Sequence, residues 1–194
     1  MGIVGWSGSG KTTLITALLP LLRGHGLSVS TVKHAHHGFD MDRPGKDTFR
    51  HRQAGAREVL VATGKRWALL HEVEGAEPPL PELLTRLSPV DLVLVEGFKT
   101  HPFAKLEVYR PALGKLPIWP DQPPGQAPGQ PQDACGVVAI ATDAALPDCD
   151  RTVLALNDPA AVADWMLDFL CLPRRDRTAA PPAGVLVGAQ SMMT

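Results

Sequence analysis

Eight residues near the start of the chain, Gly5 to Thr12 in the order GWSGSGKT, match the spacing G-x-x-x-x-G-K-[ST] at every fixed position. That spacing has a physical purpose. Gly5, Gly8 and Gly10 reach backbone conformations closed to other residues, so the amides of this stretch, with those of Ser7 and Ser9, are expected to turn inward toward phosphate oxygens. Lys11 is expected to reach the β and γ phosphates of a nucleoside triphosphate, and the Thr12 hydroxyl to complete a Mg²⁺ shell, with Thr13 beside them at the start of the following helix. The positive end of that helix dipole adds to the attraction.

A phosphate loop of this kind needs an acidic residue at the end of another buried strand to hold Mg²⁺ through water. The run DLVLVEG offers Asp91 and Glu96. Ligands lie at the carboxyl ends of parallel strands, and five steps at ~3.3 Å put Asp91 some ~16 Å from that edge, so Glu96 is the expected partner and Asp91 a strand-initiating residue. Gly97, next in line, is expected to bring its amide close to the γ-phosphate.

A polar stretch from Lys33 to Thr48 carries His34, His36 and His37 followed by Asp40, Asp42 and Asp47. Imidazoles and carboxylates suit a transition metal, yet the spacing fits no defined metal motif. The other reading is a switch-like loop in which Asp42 or Asp47 orients the attacking water or Mg²⁺, and Lys33 or Lys46 meets an anionic partner or cofactor. Arg50, Arg52 and Arg57 read as a solvated helix face. The guanine-reading N-K-x-D element is absent. Thr142 and Asp143, at the exit of the last apolar strand, stand where such domains read a base; the Asp143 carboxylate would accept from guanine N1 and N2, or act as an ordinary turn or cap residue.

The elements that must place these residues follow from periodicity. Residues 2–4 form a short strand, and the helix after the loop has Leu14, Ile15, Leu18, Leu19 and Leu22 on one side. Residues 27–32 alternate as a second strand, which makes a strand, helix, strand unit of the parallel kind. A helix is expected at 46–54, strands at 58–62 and 67–71 joined by a Thr-Gly-Lys-Arg turn, a helix at 81–87, and strands at 92–95, 105–109 and 137–141. Residues 159–170 read as a helix capped by Asp158 with Val162, Trp165, Met166 and Phe169 inward. Residues 110–134, rich in Pro, Gly and Gln, read as an irregular insertion that is poor core material, and residues 173–194 as a disordered tail.

The 194 residues, 44% hydrophobic and 20% charged, suffice for one α/β domain over 1–172. A net charge of −1 gives no global field for nucleic acid or an anionic membrane, so a bound anion needs a local site. Three spaced cysteines make no disulfide framework or zinc ribbon, and no stretch is long and apolar enough for a signal or a membrane span. The expected location is the cytoplasm.

The combination GWSGSGKTTL, then TVKHAHHGFDMDRPGKDTFR with QAGA, then VLVEGFK, closely resembles the MobB family of molybdopterin-guanine dinucleotide biosynthesis adaptor proteins. The resemblance covers residues 2 to about 172, and the block KHxHHxFDxDxPGKD is far more discriminating than the phosphate loop. It implies a three-layer P-loop NTPase fold with a mostly parallel sheet plus a β-hairpin extension. It also implies a homodimeric GTP-binding protein with weak hydrolysis, aiding a MobA-type guanylyltransferase that joins GMP to molybdopterin, with the molybdopterin cofactor as a further candidate ligand. Family members carry several more residues ahead of the first strand, so here that strand is expected to be short or the chain to begin late. Two other classes share the phosphate loop. A small-molecule kinase would need an arginine-rich lid, and residues 110–134 hold only Arg110. A metal-insertion GTPase would use His34, His36 and His37 as a relay.

Overall fold

Alternation along the strands sends Ile3, Leu94, Leu106, Val108, Ala139 and Ala141 into one buried cluster and Val4 and Ile140 into another, which Val137 joins because the pairing shifts by one residue between it and Ala139. Side chains at successive strand positions point to opposite faces, so these are the two faces of a single sheet. The computed structural model describes residues 1–35, 41–121 and 136–174. They fall into two compact units, Met1–Val32 together with the described residues from Val90 onward, and Lys33–Pro89.

The larger unit is built on a six-stranded sheet. Its strands are β1 (Gly2–Val4), β2 (Val29–Lys33), β5 (Leu92–Glu96), β6 (Ala104–Tyr109), β7 (Gly136–Thr142) and β8 (Thr152–Ala155), in the order β2-β5-β1-β6-β7-β8. β1 pairs in parallel with β5 and β6, and β6–β7 and β7–β8 are parallel as well. At the amino edge, the Asp91 carboxylate accepts from the Ser28 amide at 2.7 Å and its hydroxyl at 2.6 Å, so Asp91 ties the starts of β2 and β5 together. β8 was not expected from the sequence, because Thr152 to Ala155 is only four residues and mostly exposed.

Helix α1 (Lys11–Gly24) buries Leu14, Ile15, Leu18 and Leu22 against the first face, at the i, i+4, i+8 spacing of one helical side, while Leu19 packs at the margin. It runs through Pro20, which lies on the exposed side, and the chain turns off its end at Gly26, whose amide donates to the Arg23 carbonyl and whose φ of 77° only glycine adopts easily. Helix α4 (Pro159–Phe169) covers the same face with Val162, Ala163, Met166 and Leu167. Asp158 caps it by accepting from the Ala161 amide at 3.0 Å. Trp165, expected inward, is partly buried and packs against this cluster, and Phe169, also expected inward, is partly buried and stacks on it at 5.1 Å, while Ala163 and Leu167 take the fully buried seam.

The second face refines an expectation. Residues 111–116 are exposed, but the segment still sends Ile118 into the second cluster with Trp119 packed against it, and two 3-10 turns, Pro111–Leu113 and Trp119–Asp121, shape its course. The reason is Glu107. This β6 residue, opposite Val4, is fully buried, and its two oxygens accept the amides of Ile118 at 2.8 Å and Trp119 at 2.9 Å. Residues 122–134 of the expected insertion, and the tail from 175, lie outside the described residues.

The smaller unit holds α2 (Asp47–Gln53), the antiparallel hairpin of β3 (Glu58–Ala62) and β4 (Trp67–His71), and α3 (Leu80–Leu84). The 63–66 turn closes with the Thr63 amide on the Arg66 carbonyl at 2.8 Å. Among the described residues no helix is long and apolar enough to cross a membrane. Cys149 and Cys171 are free thiols; Cys135 lies outside the described residues.

Burial raises the Glu107 carboxyl above its ordinary value, against the opposing pull of the Ile118 and Trp119 amides and of Lys99. An acid whose folded value is raised contributes proton-linked stability that is present below its unfolded value and lost as pH rises through the folded one. Glu107→Gln removes that linkage and leaves one amide without an acceptor, at a cost of about 1–3 kcal/mol. Urea unfolding from acid to neutral pH should therefore show the variant less stable, with the gap to wild type narrowing as pH rises. A gap that widens would contradict the raised value.

Candidate functional site

The loop between β1 and α1 lies at the carboxyl edge of the parallel sheet, where β1 is flanked by β5 and β6. Gly5 leaves the strand at φ 145°, and a Cβ there would stand 2.4 Å from the Val108 carbonyl oxygen and 2.7 Å from the Ser9 hydroxyl. Only a residue without a side chain turns the chain this close to β6. Gly10, at φ 100°, then opens α1 in the left-handed region. No side chain caps α1 and no acid stands in its first turn, whereas α2, α3 and α4 carry Asp47, Glu82 and the Asp158 cap. The first amides and the positive dipole end of α1 thus have no side-chain cap and no first-turn acid to offset them.

Lys11 arches back so that its ammonium donates to the Trp6 carbonyl at 2.9 Å, and the Ser9 amide donates to the same oxygen at 3.1 Å. The Thr12 hydroxyl stands 3.2 and 3.3 Å from the two oxygens of Glu96. Register accounts for this meeting: Glu96 closes β5 opposite Ile3, one strand away from the loop. A hydroxyl and a carboxylate converging here are hard oxygen donors suited to Mg²⁺. Ser7, Gly8 and Thr13 line the exposed rim, while the Ser9 hydroxyl is buried without a partner among the described residues. The Gly97 amide, expected to approach a γ-phosphate, donates to the Ile3 carbonyl at 3.2 Å.

Residues after β6 run along the outside of the loop, a feature sequence reading missed. The Arg110 Nε donates to the Ser9 carbonyl at 3.1 Å, Leu113 lies 3.8 Å from the Cβ direction of Gly8, and the Trp6 indole donates to the Leu116 carbonyl at 2.7 Å. Lys99 sits over the Trp6 ring at 4.2 Å. The only sequence signal was the isolated Arg110 itself. Asp143 is held by that arginine, its Oδ2 accepting from Arg110 Nη1 at 3.0 Å. It lies on an open cleft of about 390 Å³ formed at the ends of β7 and β8 by Thr142 to Ala145 and Val153 to Asn157.

In the smaller unit, the Asp42 carboxylate accepts from the Thr48 hydroxyl at 2.6 Å, the Arg43 amide at 3.0 Å and Arg52 at 3.3 Å. The Thr48 hydrogen bond chiefly, aided by Arg43 and Arg52, lowers its carboxyl below the ordinary value. Those partners make Asp42 the organiser of its own loop. Arg52 also corrects the expectation of a solvated helix face: its side chain is 17% exposed and pairs with Glu72 at 2.9 Å as well. Lys33 closes β2, Lys46 precedes α2, Asp47 begins it, and His34 meets Glu77 at 2.8 Å. His36, His37 and Asp40 lie outside the described residues. Among the described residues no three His, Cys, Asp or Glu side chains converge as a metal site.

A glycine loop at the carboxyl edge of a parallel sheet, with a lysine and a threonine facing the carboxylate of the next strand, defines an α/β protein of the phosphate-loop class. The family model for molybdopterin guanine dinucleotide synthesis protein B matches residues 1–126, and the chain belongs to that MobB family. It is 36% identical over 175 residues to the molybdopterin-guanine dinucleotide biosynthesis adapter protein of Escherichia coli K12, covering 88% of this chain and 92% of that one. It is 37% identical over 176 residues to the adapter protein of the same description from Haemophilus influenzae, covering 88% of each. A crystal structure of molybdopterin-guanine biosynthesis protein B superposes with a TM-score of 0.64 at 26% identity, over 87% of this chain and 98% of that one.

The crowding at Gly5 and the space at Gly10 make different demands. Gly10→Ala meets nothing nearer than Arg110 at 3.7 Å, so its cost is that of the left-handed backbone, about 1–3 kcal/mol. Gly5→Ala adds a clash with a backbone oxygen that no side-chain rotation relieves. Urea unfolding should rank Gly5→Ala as clearly the more destabilised, and equal midpoints would contradict the close approach to β6.

Proposed function

We propose that this chain is a GTP-binding accessory protein of molybdenum cofactor maturation. It assists a MobA-type guanylyltransferase that attaches GMP to molybdopterin, and its own hydrolysis is slow. Family membership supports the pathway, and the observation that carries the nucleotide reading is the meeting of Thr12 with Glu96 beside the Gly5 to Lys11 loop. In this reading the loop amides and Lys11 hold the phosphates. Thr12 ligates Mg²⁺, and Glu96 holds it through water. Lys11 then exchanges its Trp6 carbonyl for phosphate oxygens. Asp143 reads guanine from the adjoining cleft. Slow hydrolysis fits the engagement of Asp42 and of the Gly97 amide by other groups.

Titration calorimetry with Mg·GTP and Mg·ATP, repeated on Lys11→Ala, tests the core of this reading. GTP should bind more tightly than ATP, and Lys11→Ala should weaken GTP by tenfold or more, as expected for charge-assisted bonds to phosphate. Equal binding of the two nucleotides would remove the guanine assignment.

We also read the chain as a homodimer joined through the hairpin of the smaller unit. Cross-strand partners Leu60 and Leu69 are 61% and 42% exposed, and Trp67, opposite Ala62, is 68% exposed. An isolated two-stranded sheet with one apolar face bare to water is marginal, and a second copy of the same hairpin supplies the matching apolar surface. Sedimentation equilibrium should give twice the chain mass for wild type and a shift toward monomer for Leu69→Lys. A wild-type monomer at every concentration would sink the dimer.

A further inference from the structure

We propose that Arg110 is a positioning residue that sets base selectivity by fixing Asp143 to the phosphate loop; this rests on the reading of Asp143 as the guanine contact. β6 ends at Tyr109 and β7 at Thr142, and these two residues are register partners in a parallel pair. Arg110 and Asp143 are the next residue on each strand, so the fold itself delivers a guanidinium and a carboxylate side by side at the carboxyl edge. The planar fork then reaches two ways. Its Nε donates to the Ser9 carbonyl at 3.1 Å and its Nη1 to Asp143 Oδ2 at 3.0 Å. One rigid group therefore ties the outer side of the loop that would hold phosphates to the acid that would read a base.

Stability is a poor account of this pair. The two side chains are 38% and 28% exposed, and ion pairs this open contribute about 0–1 kcal/mol. What the fork supplies is geometry. A carboxylate at the mouth of an open cleft has rotamers to lose before it can accept from both N1–H and the 2-amino group of guanine. Arg110 restricts that freedom while leaving Oδ1 and the second lone pair of Oδ2 for the base, and it does so from a fixed point on the phosphate loop. Lysine at 110, a single point charge, lacks the fork needed to hold both oxygens.

Calorimetry on the full chain with Mg·GTP, Mg·ITP, which lacks the 2-amino group, and Mg·tripolyphosphate, which has no base, tests the assignment. Wild type should favour GTP over ITP. Arg110→Gln should weaken GTP about tenfold, collapse the GTP/ITP ratio, and change tripolyphosphate binding less than about twofold, the pattern expected when one charge-assisted contact to the base is misplaced. Asp143→Asn should collapse the same ratio, the double variant should add nothing further, and Arg110→Lys should recover only part of it. If Arg110→Gln weakens tripolyphosphate as much as GTP, Arg110 braces only the loop and the proposal is overturned. If Asp143→Asn removes the preference while Arg110→Gln keeps it, the guanine reading stands and the role given to Arg110 falls. If wild type does not distinguish GTP from ITP and Asp143→Asn changes nothing, the guanine reading fails and takes the proposal with it.

Discussion

The contact on which the site depends is the approach of Gly5 to the Val108 carbonyl, where a Cβ would stand 2.4 Å from the oxygen. It sets how sharply the chain leaves β1, and that angle decides where the next residues go. With Gly5 pressed against β6, the loop turns under Ser9 and delivers Lys11 and Thr12 to the edge where β5 ends in Glu96. A looser exit would separate the hydroxyl from the carboxylate, because those groups belong to elements far apart in sequence and meet only through sheet register. Pairing of β1 with both β5 and β6 is therefore as much a part of the site as the glycines.

The segment after β6 carries the same constraint outward. Arg110, Leu113 and Leu116 each touch one residue of the loop, and Glu107 pins the far end by accepting the Ile118 and Trp119 amides. A buried carboxylate is costly unless its lone pairs are matched, and two backbone amides at 2.8 and 2.9 Å are well suited to match them. Such an arrangement favours one path for this segment, since any other would leave the charge buried and unpaired. The irregular composition of 110–121 is thus compatible with a defined structure, held by polar bonds at its end and by Ile118 in the second cluster.

That segment also shows what was legible in the sequence and what was not. Local signals were read well: the phosphate loop, the side of α1, the hairpin turn at 63–66 and the Asp158 cap each depend on residues a few positions apart. Counting strand rise placed Glu96 at the carboxyl edge and Asp91 at the amino edge, where they lie, and that too is local geometry. The misses are relations between distant residues. Nothing near Glu107 in sequence announces that its acceptors will organise Ile118 and Trp119, and nothing near Arg52 announces Asp42 on one side and Glu72 on the other. Nothing near Gly97 in sequence announces that its amide will donate to Ile3 on the neighbouring strand β1. β8 was missed because a short edge strand with exposed side chains has no apolar pattern of its own and exists through its pairing with β7.

The charges of the larger unit follow from these placements. α1 begins with no acid in its first turn and no capping side chain, an arrangement that gives up roughly a kcal/mol available from an ordinary cap. α4, on the same face of the sheet, takes that stabilisation through Asp158. The difference is local to the loop, since an acid in the first turn would repel any anion there and a side-chain cap would occupy amides that α1 otherwise leaves uncapped. The carboxylates that do approach are matched: Glu96 stands against the Thr12 hydroxyl and Asp143 against Arg110. In a chain of net charge −1 no global field sets the electrostatics of this edge, so the uncapped helix start and the paired acids around it determine them locally.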